Sequence, residues 1–183
     1  MLADSFLEKR GGLIPIQHLC GALGELCIPL AGRRILDLRL GGVEVEIQNF
    51  DELMIELELC IGLIFKPLRH HLKNVVNEDS LILLSMWKPA LEVLKEILKD
   101  PNNDDGAEGE NGEVPSARVL KATNELTIEH LRNVIMVLIS FGILQPEPQI
   151  ADDISAITWD AVGQMDFCKG YLDEWKQAAS QQT

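Results

Sequence analysis

The sequence predicts an all-α fold built from antiparallel helix pairs, and three observations carry that expectation. Across residues 51–99 apolar side chains recur every three or four positions, as one buried helix face requires. The same spacing returns over 128–141 and again over 153–179. The period-two alternation of a strand is confined to Val43-Glu44-Val45-Glu46-Ile47. With 183 residues, 46% of them hydrophobic, there is material for a single helical domain over 1–183, and at 5% aromatics its core must be mostly aliphatic.

The first element is expected after Gly11-Gly12, where Leu13, Ile16, Leu19, Cys20, Leu23, Leu26, Cys27 and Leu30 define one helical face. Pro15 suits a first turn. Gly21 and Gly24 each weaken a helix by up to about 1 kcal/mol relative to Ala, or else permit close helix packing. Pro29 predicts a kink or stop before residues 35–40. Gly41-Gly42 reads as a turn, and 43–47 as an extended connection, with a lone strand or a hairpin with 35–40 as the alternative.

Two successive amphipathic helices follow. Leu53, Leu57, Ile61, Ile64, Leu68, Leu72 and Val75 form the stripe of the first, and Leu84, Trp87, Leu91, Leu94 and Leu98 that of the second. Asn77-Glu78-Asp79-Ser80 between them offers capping side chains, and so short a link implies an antiparallel pair. Pro67 predicts a bend near 64–67. Pro89 predicts either a kink or the start of a new helix.

Residues 100–116 concentrate Asp, Glu and Gly with almost no apolar side chain, so a disordered acidic loop is expected there. It lacks the ligand frame of a calcium loop. Helical pattern resumes over 117–125 and again from Ile128 to Phe141, with Thr127 as N-cap and Gly142, Pro146 and Pro148 as terminators. A last helix is expected over about 153–179, with Ile154, Ile157, Ala161, Met165, Cys168, Leu172 and Trp175 on one face.

Composition narrows the function. A net charge of -13 opposes binding to nucleic acid, which needs clustered Lys and Arg, and opposes general adsorption to anionic membranes. No apolar run spans a bilayer, and the first ten residues lack a secretory signal, so a cytosolic chain with no transmembrane segment is expected. Arg33, Arg34 and Arg39 read as a solvated face. Cys20, Cys27, Cys60 and Cys168 are dispersed and read as reduced thiols without a metal.

Chemistry-bearing clusters are sparse. His70 and His71 point about 100° apart on a helix and suit no shared metal ion. Glu125, Glu129 and His130 have neither the pocket nor the partner that a general base needs. No phosphate loop or nucleophile elbow is present, so no catalytic residue, cofactor or metal is expected. The candidate partner-binding residues are Trp159, which lies off the last apolar stripe, and the basic face of Lys66, Arg69, His70 and Lys73. Trp87 and Trp175 fall on apolar stripes and are expected in the core.

Three segments, in order, resemble the C-terminal end of the large Golgi Arf guanine-nucleotide exchange factors, the Sec7-family proteins of the Gea, GNOM and Golgi brefeldin A resistance type. Within 53–98, Leu84-Ser85-Met86-Trp87-Lys88-Pro89-Ala90-Leu91-Glu92-Val93-Leu94 stands in the place of the family's leucine-tryptophan-leucine segment. Ile128-Glu129-His130-Leu131-Arg132-Asn133-Val134-Ile135-Met136-Val137-Leu138 is similar to its Pro-Glu-Ser-Leu-Lys-Asn-Met-Leu-Leu-Val-Met helix. Ile157-Thr158-Trp159-Asp160 resembles its Ile-Thr-Trp-Glu helix start. Pro89, Gly163 and Gly170 depart from the pattern.

The resemblance implies the last of the homology-downstream-of-Sec7 domains, a HEAT- or armadillo-like α-solenoid segment. Its implied role is non-catalytic: regulation and membrane recruitment of an Arf exchange factor in Golgi vesicle traffic. The implied partners are Golgi membrane lipids, small GTPases of the Arf or Rab type, or other domains of the parent protein, with peripheral association to Golgi membranes. No Sec7 catalytic residue has a counterpart here. The alternative is a free-standing helical adaptor that binds a partner helix in a groove. A solenoid segment is also expected to expose an apolar N-terminal face.

Overall fold

A computed structural model describes residues 13–45, 50–75, 80–103, 117–151 and 153–182. All regular structure among them is helical. Helix α1 (Leu13–Ala22) passes through a π-helical turn (Leu23–Cys27) into α2 (Ile28–Val45). Then come α3 (Phe50–Val75), α4 (Ser80–Ile97), α5 (Ala117–Ser140) and α6 (Ile154–Gln164). A 3-10 turn (Lys169–Tyr171) leads into α7 (Leu172–Ser180). No described helix is long and apolar enough to cross a membrane.

The π turn explains how the chain carries Pro29 without stopping. An α-helix would need an N–H at Pro29 and would press its ring onto the carbonyl four residues back. Here Ile28 N–H reaches back to Leu23 O, five residues away, so the helix is already widened where the ring must fit. The expected stop is absent: the helix runs on through Pro29 to Val45. The turn at Gly41-Gly42 and the extended 43–47 connection are not found either: α2 stays helical through both glycines to Val45, and 46–49 lie outside the described residues. Five alternating residues are too few to oppose a helix already propagating into them.

Helices α3 and α4 bear out the two-helix reading of 51–99, and each runs unbroken through its proline, Pro67 in α3 and Pro89 in α4. The α3 stripe from Leu53 to Leu72 is buried as expected. Helix α4 is buried almost all round, with Met86, Trp87, Ala90, Leu91, Leu94 and Ile97 inside. It is the central helix, packed by α1, the π turn, α2, α3 and α6. Side chains from every layer join one apolar cluster. Arg39 belongs to it rather than to a solvated face: it is 4% exposed, and its guanidinium donates to Ile97 O at the negative end of α4. Burial pulls that guanidinium down to about 10.

Helix α5 is one continuous helix, not two. Thr127 is no N-cap, because its hydroxyl donates to Thr123 O at 2.6 Å while Thr123 donates to Val119 O at 2.7 Å. Each threonine is satisfied inside the helix and need not end it. Its C-terminus does fall where expected. Gly142 adopts φ 69°, Gly142 N–H donates to Ile139 O at 2.8 Å, and Ile143 N–H donates to Leu138 O at 2.9 Å. The expected final helix is instead divided into α6 and α7, with Asp153 capping α6 through Ala156 N at 2.8 Å. Of the expected acidic loop, 104–116 lie outside the described residues, whereas Asp100 to Asn103 form a turn closed by Asn103 N–H to Asp100 O at 3.1 Å.

Candidate functional site

The first helical stripe is rotated from expectation: Cys20 is buried and Leu23 half-buried as expected, whereas Leu19, Leu26, Cys27 and Leu30 face out. Cys20, Gly24, Ile28, Ala31, Ile35 and Leu38 are the buried residues. Leu19, Leu26 and Leu30 stand 46%, 61% and 65% exposed. The reason is the small side chains on the inner side. A Cβ on Gly24 would lie 3.3 Å from Pro89 Cγ and in collision with Ser85 O, so the π turn sits directly on the α4 backbone. The small face goes in and the leucines go out.

Helix α3 has a second apolar stripe beside its buried one: Ile55, Leu59 and Leu63, all more than half exposed. Between it and α1 with the π turn lies a groove of about 990 Å³. Leu19 and Leu23 form one wall, and Leu59, Leu63 and Pro67 the other. Gly62 is buried at the ridge, where an added Cβ would meet only the flexible end of Lys66, 3.4 Å away. Lys66, Arg69 and His70 line one end, and among the described residues no lining residue is acidic. On the α2 side, Arg34 and Glu56 pair at 2.6 Å.

Three of the five sequence candidates are thus brought together: Lys66, Arg69 and His70. Lys73 lies in α3, and its side chain is outside the described residues. Trp159 is a correction. It is 4% exposed, with its indole N–H donating to Gln145 O at 2.7 Å. The segment after α5 folds over α6, and Ser155 Oγ accepts from Gln145 N at 2.9 Å, so α6 buries Ser155, Thr158, Trp159 and Val162 beside the expected Ala161; of the expected stripe Met165, Cys168 and Trp175 are buried too, while Ile154, Ile157 and Leu172 are only half-buried. Sequence reasoning missed Leu19, Leu59 and Leu63. The signal was present as a second four-residue apolar spacing on α3.

A smaller cleft of about 280 Å³ lies across the same ridge, between α3 and α5, and shares Leu59, Gly62 and Lys66. His130 lines it, its ring stacked on Phe65 with centroids 5.4 Å apart. Its Nδ1 lies 2.9 Å from Arg69 Nη2. A guanidinium can only donate, so Nδ1 accepts and the imidazole is neutral. Burial, then the Arg69 charge, hold His130 below its ordinary value, with Lys66 adding to the effect and Glu129 and Glu58 opposing it.

The sign of the linkage follows. The unfolded chain takes up the His130 proton first as pH falls through about 6.5, so the stability is present above that value and lost below it. The urea midpoint is expected to fall between pH 7.5 and 5.5, and His130→Gln is expected to flatten that fall. An equal fall in both proteins would remove His130 as its source.

Among the described residues no three His, Cys, Asp or Glu side chains gather closely enough to hold a metal ion. A polar cleft of about 570 Å³ beside α4 pairs charges internally, Lys95 with Glu92 at 2.8 Å and Lys169 with Asp166 at 2.7 Å. Comparison with protein families, with curated proteins and with solved structures finds no match to this chain.

Proposed function

We propose that this chain is a non-catalytic docking module: a HEAT-like segment that regulates and recruits a Sec7-family Arf exchange factor to Golgi membranes by holding a partner in the groove beside α3. The observation that carries this reading is the pair of leucine walls left open between α1 with its π turn and α3. Its support also includes the order of the segments that resemble the exchange factors. They fall in α4, α5 and α6, three successive helices.

The test uses the whole chain fused to a fluorescent protein in cells. Accumulation on Golgi membranes is expected, and Leu59→Asp with Leu63→Asp is expected to abolish it. Both leucines are solvent-exposed, so the fold should tolerate the change. Diffuse fluorescence of the unaltered chain, or unchanged recruitment of the double variant, overturns the reading. The purified chain is further expected not to accelerate nucleotide release from Arf. A free-standing adaptor with the same groove would bind its partner away from Golgi membranes.

A further inference from the structure

We propose that the groove between α1 with its π turn and α3 takes an acidic amphipathic helix of a partner protein. The helix seats its apolar face on Leu19, Leu23, Leu59 and Leu63 and turns its carboxylates toward Lys66 and Arg69. This inference rests on the docking reading above and names the chemistry of the occupant.

Charge complementarity selects that occupant. The chain carries a net charge of -13, yet this groove is lined at one end by Lys66, Arg69 and His70 and, among the described residues, by no carboxylate. The stem of Lys66 lies across Gly62, with Nζ 3.7 Å from the position of an added Cβ, so the ammonium is held at the groove edge. Arg69 is positioned through His130, which engages one of its nitrogens and leaves further N–H donors for a carboxylate. The walls carry leucines at four-residue spacing, the pattern that meets a helix presenting apolar side chains at i, i+4 and i+7. An anionic bilayer fits less well. It wants a basic surface around its apolar side chains, and the chain as a whole is strongly acidic.

The probe is a synthetic helical peptide of about 18 residues with leucines at that spacing and glutamates along one flank, paired with the same peptide carrying lysines there. Fluorescence anisotropy against the whole chain is expected to show the glutamate peptide binding roughly threefold to tenfold tighter, the gap narrowing as salt is raised. Lys66→Glu with Arg69→Glu is expected to reverse the preference. Gly62→Leu, whose Cβ meets the flexible Lys66 side chain first, adds bulk between the leucine walls and is expected to abolish binding of both peptides while circular dichroism stays unchanged.

Equal affinity for the two peptides, failure of both to bind, or indifference to Gly62→Leu overturns the inference. So does binding of phosphatidylserine vesicles in place of the peptide. If the peptides fail while the leucine pair is still needed for Golgi recruitment, the occupant is wrong and the docking reading stands. If the glutamate peptide binds while the fused chain stays diffuse, the occupant is right and the Golgi assignment fails.

Discussion

Gly24→Ala is expected to destabilise the protein by about 2 kcal/mol, although alanine is the better helix former. Taken alone, the substitution should gain up to about 1 kcal/mol of helix propensity. Against that, the new methyl would collide with Ser85 O and lie 3.1 Å from Ser85 C. These are backbone atoms of the buried central helix, so no rotamer change can relieve the clash. Either the π turn lifts off α4 or α4 shifts, and overpacking of this kind costs about 1–3 kcal/mol. In a chain of this size that is a fall in Tm of roughly 5–8 °C.

Two neighbours make the test specific. An added Cβ at Gly21 meets nothing within 4 Å, so Gly21→Ala is expected to stabilise slightly. At Gly32 the Cβ would meet only Val93 side-chain atoms, Cγ2 at 3.1 Å among them, and an intermediate loss is expected. If the three variants melt together, the close approach of the π turn to α4 is not what holds the first layer in place.

That close approach also accounts for what the sequence left hidden. Helix periodicity located α3 and α4 because their inner faces are large and aliphatic, and the stripe from Leu53 to Leu72 is buried as drawn. The same method rotated the face of α1, since it weighs leucine as core; the alternative reading of Gly24, as a point of close helix packing, is the one the structure shows. Where the inner face is Cys20, Gly24 and Ala31, contact comes from smallness, and the leucines are left as the groove wall. The α5 break was misplaced for a related reason. Thr127 has capping chemistry, but a hydroxyl that bonds Thr123 O is equally satisfied within a helix. Lys66, Arg69 and His70 were legible because a basic cluster stands out in an acidic chain, whereas the apolar half of the site emerged only once the helix orientations were known.

The three tryptophans are all buried, but their indole nitrogens differ, and that difference sets the largest expected loss. Trp87 is 0% exposed in α4 and donates to Thr158 Oγ1 at 2.8 Å, while Thr158 in turn donates to Ile154 O at 2.6 Å. Trp87→Ala therefore empties the middle of the core and breaks the tie between α4 and α6, with an expected loss of about 3–5 kcal/mol. Trp175, also 0% exposed, stacks on Tyr171 with centroids 5.7 Å apart, yet among the described residues its Nε1 has no hydrogen-bond partner. An unsatisfied buried donor costs about 1–3 kcal/mol, which a phenyl ring would not incur. Trp175→Phe is accordingly expected to lie within about 1 kcal/mol of the parent, because the relieved donor offsets the lost volume. Trp87→Phe removes the same volume together with a hydrogen bond that is made. The two phenylalanine variants remove the same side-chain volume, so the gap between their unfolding free energies reports the indole N–H together with how far each site collapses. A gap of about 1–3 kcal/mol with Trp175→Phe the more stable is expected, and equal values would count against the Thr158 link as a tie joining α6 to the core.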